Sequence, residues 1–385
     1  MRRLTLAYLR TESGSGLVLP VAAVAAISLA TSGYAAPYRE FLAMPIAARL
    51  GDFAETMSVA GWARALLMPV FFLVLGMELK FELLRGELSN PRRLALPALA
   101  ALGGLIAPAA VFLAVGLGRG GVSQGWTIGC ATDGAAALAA LTLAGPKLSQ
   151  ALRVLLICVA LIDNIAAMLA ASALGAGDLH VPMMLGAGAA LVALALVSRW
   201  RRAPFLFYAL GFVVVWGFTL KSGLDPALAG VASAFTVPVG ARRLGQESML
   251  KYFMDSLHPY VAFAVLPFFV FTAAGFSLHH FHLRDLAAPG PTGVMLALAL
   301  GKPLGVFGAC LAAISLKAAR RPTGTTWREL LGVAALCGVG FTVSYFIADA
   351  SQTSAATIRA AILIGSALGA TAGVWLLSPP RRPAI

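Results

Sequence analysis

Charge is what this sequence has least of. Of its 385 residues, 12% are Asp, Glu, Lys or Arg and 59% are hydrophobic. A soluble domain carries about 25% charged residues, so a soluble globular protein is excluded. No polar block is long enough for a separate soluble domain, and 1–385 reads as one polytopic, all-α membrane domain. Cysteine is scarce as well. Cys130, Cys158, Cys310 and Cys337 all lie in apolar runs. They read as small buried residues rather than as bridges or metal ligands. No Ser-His-Asp set and no metal-ligand spacing falls at one membrane depth. Hydrolytic enzyme readings therefore find no support, and no cofactor is expected.

What is abundant is apolar length. Runs of spanning size occur at about 15–33, 62–79, 95–116, 122–144, 151–174, 182–198, 204–220, 225–240, 257–278, 292–316, 329–349 and 357–377, which predicts about twelve transmembrane helices. The 40 glycines and 21 prolines fit, since both are commoner in membrane helices than in soluble ones. Arg2, Arg3 and Arg10 before the first run resemble a signal peptide, but the run is long and reads as a retained helix.

Basic residues exceed acidic ones by 29 to 16, for a net charge of +13. Their positions exclude nucleic acid as the reason. With a cytoplasmic N-terminus, the cytoplasmic connections collect most of the Lys and Arg, including Lys80, Arg85, Arg92, Arg93, Lys147, Arg199, Arg201, Arg202, Arg242, Arg243, Lys317, Arg320, Arg321, Arg328, Arg381 and Arg382. The opposite side keeps Arg39, Arg49, Arg64, Arg119, Lys221, Arg284 and Arg359. That bias predicts both termini in the cytoplasm and lipid as the partner of the basic surface.

Three polar stretches lie outside the runs. Residues 34–60, with Pro37 and Pro45, read as a small surface structure in the first outer loop. Residues 78–93 form a dense charged turn that is either a solvated face or a place of ion access and pH response. His279, His280 and His282 read as a solvated outer loop ahead of a metal site.

Three ionisable residues fall near mid-span: Asp133, Asp163 and Lys302. A charge at the bilayer centre costs about 2.5–3.5 kcal/mol on insertion scales, so such residues mark function by default. Thr132-Asp133-Gly134 is a poor continuation for a straight helix, because Gly weakens it and the Thr and Asp side chains compete for backbone groups. A break is expected there, in the fourth run, and a partner break at Gly338-Val339-Gly340 in the eleventh. Asp133 then faces positive helix ends. Lys302 faces negative ends or pairs with an Asp, Asp163 being the natural partner for a buried ion pair. Asn164, one residue on, points about 100° away from Asp163.

These residues carry a recognisable pattern. Phe71-Phe72-Leu73-Val74-Leu75-Gly76-Met77-Glu78-Leu79-Lys80, Ala131-Thr132-Asp133, Ala160-Leu161-Ile162-Asp163, Leu228-Ala229-Gly230-Val231, His258-Pro259-Tyr260, Gly301-Lys302-Pro303-Leu304-Gly305 and Leu336-Cys337-Gly338-Val339-Gly340-Phe341-Thr342 occur in order along nearly the whole chain. The sequence resembles the NhaA-type sodium/proton antiporter family. The resemblance implies an inverted-repeat fold whose fourth and eleventh helices are broken and cross, a mode of construction the general rules for transporters also describe. It implies a pH-regulated exchanger of the bacterial inner membrane that exports sodium or lithium for external protons, and it implies a homodimer. By motif match, Asp163 is the carboxylate that pairs with Lys302, the main cation ligand falls at position 164, and Thr132 and Asp133 belong to the break; with Asn at 164, Asp163 is left as the carboxylate for sodium or lithium and protons. Glu78 and Glu82 match the cytoplasmic funnel.

The sequence departs from that family pattern in three places. The usual double Asp of the fifth run is Asp163-Asn164 here. Gly134-Ala135-Ala136-Ala137 stand where larger Ile and Phe are usual. Asp225 replaces a His linked to pH response. An Asn oxygen can coordinate sodium but cannot exchange a proton. Three outcomes follow: one-for-one exchange through Asp163 with Asn164 and Thr132 as neutral ligands, loss of transport, or transport of another solute through a widened site.

Overall fold

A computed structural model describes residues 2–378 apart from 51–52, 118–122, 146–148, 176–178, 200–203, 241–247, 280, 352 and 354. His280, and of the basic residues named above Arg119, Lys147, Arg201, Arg202, Arg242, Arg243, Arg381 and Arg382, lie outside the described residues.

The chain begins with α1 (Arg2–Thr31), which turns sharply into α2 (Ala35–Ala43); Gly16–Thr31 and Ala35–Ala43 are bent by 114°. An antiparallel hairpin follows, β1 (Pro45–Leu50) on β2 (Phe53–Ser58), in register from Pro45↔Ser58 to Leu50↔Phe53. The small structure expected over 34–60 is thus a helix and a hairpin. It is tied down by Tyr38, whose hydroxyl donates to Phe271 O at 2.6 Å, and by Trp62, whose Nε1 donates to Ile46 O at 2.8 Å.

The remaining elements are helical: α3 (Val59–Arg85), α4 (Pro91–Gly116), a 3-10 segment Ser123–Cys130 leading to α5 (Gly134–Leu143), α6 (Gln150–Gly175), α7 (Val181–Arg199), α8 (Phe205–Lys221), α9 (Ala227–Thr236), α10 (Met249–Ala273), α11 (Pro289–Ser315), α12 (Trp327–Cys337), α13 (Phe341–Ala350) and α14 (Ala356–Leu377). Among the described residues nine helices are long and apolar enough to cross a membrane, or ten if the bent α1–α2 pair counts as one. The runs at 204–220 and 225–240 correspond to α8 and α9, which are apolar but shorter. The protein is an all-α polytopic membrane protein.

Proline shapes the long helices. The π-turns at Ala63–Leu67, Val261–Val265 and Ala297–Gly301 each end two residues before a proline, at Pro69, Pro267 and Pro303. A proline within a helix clashes with the carbonyl four residues back and offers no N–H, and a widened turn relieves both problems. Lys302 sits between one such turn and its proline, at a point where α11 is already deformed.

Burial separates the helices. The stretch Trp327–Ala350, carrying α12 and α13, is 94% buried, whereas α7 is 11% buried. The reason is the backbone. Non-helical peptide groups cannot face lipid, where nothing satisfies them, so an interrupted span must be enclosed by protein.

Candidate functional site

The interruptions meet. Residues 131–133 belong to no helix, and neither do Val339 and Gly340 between α12 and α13. Asp133 N donates to Val339 O at 2.6 Å, and the Thr132 hydroxyl lies 2.9 Å from Cys337 O. Residues 132–133 of one break thus donate to carbonyls of the other, which the interrupted helix leaves free to accept. Phe341, at φ 24°, adopts a conformation that non-glycine residues rarely take, and its N–H is held by Ser366 Oγ at 3.1 Å. Strained backbone of this kind persists only where its surroundings hold it.

Asp133 joins both breaks. Its Oδ1 accepts from Ala136 N at 3.1 Å, capping the start of α5. Its Oδ2 accepts from Thr342 N at 3.0 Å, at the start of α13. One carboxylate faces the positive ends of two helices, and both of its oxygens are engaged.

Asp163, on α6, is fully buried and pairs with the fully buried Lys302 at 3.0 Å from Oδ2 to Nζ. Lys302 also donates to Cys130 O, at the end of the 3-10 segment. The Thr132 hydroxyl lies 3.3 Å from Asp163 Oδ2. Asp163 Oδ1 has no hydrogen-bond partner among the described residues, which is rare for a buried carboxylate oxygen. Gly104 on α4 makes room for this carboxylate: a Cβ there would stand 3.2 Å from Asp163 Oδ2 and 2.9 Å from a Val306 methyl.

Asn164 also reaches the break. Its Oδ1 accepts from Thr132 N at 3.0 Å. A backbone N–H can only donate, so this bond fixes which end of the amide is oxygen. Although adjacent residues on a helix point about 100° apart, Asp163 and Asn164 both reach Thr132, the first at its hydroxyl and the second at its N–H.

Asn164, Asp133, Glu78, His258 and Thr342 line one cavity, whose other walls are apolar residues of α3, α5, α6 and α10. Gly134 and Ala135 also line it. The same helix packs on α1, where a Cβ on Gly16 would collide with the backbone carbonyl of Ala135 and approach the Ala139 methyl. The small residues of α5 thus allow α1 to approach closely as well as leaving space in the cavity.

The three residues assigned to a pH-responsive funnel do not form one group. Glu78 borders the cavity. The Glu82 Oε2 accepts from Glu87 N at 2.9 Å and so braces the turn that follows α3. Asp225 lies apart from both. It pairs with Arg64 at 2.9 Å, and its Oδ1 accepts from Ala227 N at 2.9 Å just before α9 begins. Arg64 and Glu82 stand at opposite ends of α3, roughly 27 Å apart at 1.5 Å per residue. Asp225 is therefore placed at the far end of α3 from Glu82, and its position in the sequence held no trace of Arg64. Near Glu82, Lys80 donates at 2.6 Å to both Phe235 O and Val237 O, closing the end of α9.

Sequence reasoning included Thr342 in the motif of the second break but missed Ser366 and Ser344 as parts of the crossing. Ser344 Oγ donates to Ile128 O at 2.7 Å. The only available signal was hydroxyl residues within otherwise apolar runs. Among the described residues no group of three His, Cys, Asp or Glu is placed to hold a metal, so His279 and His282 form no such cluster. The backbone N–H of His282 instead donates to Asp285 Oδ2 at 3.3 Å, at the start of a short 3-10 turn.

Comparison with known proteins shows the family. The family model for Na+/H+ antiporter 1 matches residues 6–377. A Shewanella denitrificans protein named Na(+)/H(+) antiporter NhaA 2 is 39% identical over 376 residues, covering 96% of this chain and 94% of its own. A Pseudomonas syringae pv. syringae protein of the same name is 38% identical over 374 residues, covering 96% and 93%. A Haemophilus ducreyi protein named Na(+)/H(+) antiporter NhaA is 35% identical over 377 residues, covering 96% and 95%. This multi-pass membrane protein belongs to the Na+/H+ antiporter 1 family.

Proposed function

We propose that this protein is a sodium/proton antiporter that moves sodium or lithium out of the cytoplasm in exchange for external protons. The reading places it in the bacterial inner membrane, with both termini cytoplasmic and access to the site from the cavity bordered by Glu78. The observation that carries it is the fully buried Asp163–Lys302 pair, with Asp163 Oδ1 unsatisfied beside two interrupted helices. A buried pair of this kind does not reliably stabilise a fold. An unsatisfied carboxylate oxygen within it is a place for a cation or a proton, but not for both. Competition for that oxygen couples the two flows.

Asp163, Asn164, Thr132, Asp133 and Lys302 take different parts. Asp163 binds the cation or the proton. Lys302 supplies the counter-charge when no cation is bound. Thr132 and Asn164 are neutral oxygen donors nearby. Asp133 keeps the crossing in shape, since both its oxygens are already occupied. With an amide at 164, the site has one exchanging carboxylate, which favours one cation for one proton. Glu78, beside the cavity, and Glu82, in the turn after α3, are proposed for ion access and pH response. The hairpin of β1 and β2 is proposed as the contact surface of a homodimer, which crosslinking of cysteines introduced at its exposed positions tests.

The functional test is sodium- or lithium-dependent dequenching of a pH-sensitive dye in everted membrane vesicles. A response in the native protein that disappears in Asp163→Asn supports the reading. Silence with both cations from mildly acidic to alkaline pH sinks it.

A further inference from the structure

Among the described residues, four cations gather at one membrane edge without a protein anion to meet them. Lys317, Arg320, Arg321 and Arg328 lie between the end of α11 and the first turn of α12, and none makes a salt bridge among the described residues. The one acidic side chain in this stretch, Glu329, is engaged in capping α12 and accepts from Thr326 N at 2.7 Å and from the Thr326 hydroxyl at 3.0 Å.

Two of these guanidinium groups are held in place by indole rings. Arg321 lies over Trp327, 5.4 Å from the ring centre, and Arg328 over Trp375, at 5.9 Å. Both distances are within cation–π range. Phe307 meets the Trp327 ring edge to face at 6.2 Å and 83°, which fixes its plane. One nitrogen of Arg328 donates to Trp375 O and Ser378 O, both at 3.2 Å, at the end of α14. A guanidinium has five N–H donors, so others remain for an outside acceptor. Lys317 takes a left-handed φ of 58°, a conformation glycine adopts at lower cost, and so carries a charge where a small turn residue would suffice.

Apolar surface adjoins the charges. Trp375 is 72% exposed and Leu316 79% exposed. Trp327 opens one apolar span and Trp375 lies near the end of another, the depth at which tryptophan meets lipid headgroups. A free phosphate ion needs the cations but not the apolar flank. A phospholipid uses both.

We propose that this corner is a binding site for an anionic phospholipid, whose phosphate lies against Arg321 and Arg328 and whose chains run along the Leu316 and Trp375 side. Clusters of basic residues at the cytoplasmic end of a span attract the negative inner leaflet. The inference rests on the proposed orientation only for the choice of leaflet, and its test does not read transport. The lipid also ties the start of α12, one half of an interrupted span, to the end of α14.

The full-length protein in zwitterionic micelles is titrated with phosphatidylglycerol, phosphatidylcholine or inorganic phosphate while its Tm is followed. Phosphatidylglycerol is expected to raise Tm saturably, and the other two are not. The double variant Arg321→Ala/Arg328→Ala weakens the apparent affinity for phosphatidylglycerol by on the order of tenfold. Arg92→Ala, on a different connection, leaves it unchanged. If the double variant does not fold, Arg321→Ala alone carries the test, because among the described residues no hydrogen bond depends on that guanidinium, and its loss weakens affinity severalfold. Unchanged affinity in the variant overturns the proposal. Equal protection by inorganic phosphate or by phosphatidylcholine also overturns it, by showing a simple anion site or apolar coating alone.

Discussion

Two ion pairs of nearly equal length behave differently in this protein. Lys302–Asp163 spans 3.0 Å and Arg64–Asp225 spans 2.9 Å. At Asp225 both carboxylate oxygens are engaged, one by Arg64 and one by Ala227 N, and the Arg64 side chain is 35% exposed. At Asp163 one oxygen has no hydrogen-bond partner among the described residues, and neither side chain reaches solvent. The carboxylate of the first pair is complete and braces the start of α9. The second is incomplete and sits where two helices are interrupted. Bond length therefore says little about role. Whether the carboxylate has finished its hydrogen bonding says more.

The largest expected effect is at Asp163. Asp163→Asn abolishes sodium-dependent proton movement in vesicles and strands the Lys302 charge, at a stability cost of about 3–5 kcal/mol. Adding Lys302→Met restores much of the Tm without restoring transport. Transport in the double variant would break the comparison, because the pair would then be scaffolding like Arg64–Asp225.

Asp133→Ala comes next. It removes the acceptor for two helix-start N–H groups, each such bond to a charged group being worth roughly 1.5–3 kcal/mol. Thermal unfolding should show a loss well above that of Asp133→Asn, which keeps an acceptor oxygen. Equal losses in the two variants would mean that the carboxylate charge, rather than its hydrogen bonds, holds the crossing.

Asn164→Asp sharpens the contrast. A carboxylate at 164 still accepts the Thr132 N–H and adds a second group that can exchange a proton. Sodium-dependent dequenching is expected to increase several-fold over the native protein in parallel vesicles. No increase would show that the amide is not a lost ligand.

The smallest effect belongs to Asp225→Asn. It keeps an oxygen for Ala227 N and loses a partly exposed ion pair worth about 1 kcal/mol or less. Tm falls slightly, and the pH profile of transport stays unchanged. A shifted profile would return Asp225 to the pH response from which its placement removes it.

Much of the membrane architecture was legible along the chain. Apolar runs announce helices because hydropathy is a local property, averaged over about 20 residues. The interruptions were also legible, since Thr132-Asp133-Gly134 and Gly338-Val339-Gly340 are weak helix sequences wherever they occur. The hairpin over 45–58 was visible only as a small surface structure, because its register is set by pairing between Pro45–Leu50 and Phe53–Ser58. The role of the Gly134–Ala137 stretch was half visible: a gap in the cavity wall could be guessed, but the approach of Gly16 to Ala135 could not.

The sequence alone determined that this chain lives in a membrane, where its helices run, and which few charges lie at depth. It even singled out Asp163 and Lys302, because a buried charge is costly enough to stand out against apolar neighbours. The tertiary structure decided what each charge does. It completed Asp133 with two N–H groups from different helices, left one oxygen of Asp163 without a partner, turned the Asn164 oxygen to Thr132, and drew Asp225 to Arg64 at the far end of α3 from Glu82. Those outcomes depend on hydrogen bonds between residues far apart along the chain, and such bonds leave no mark in local composition or periodicity.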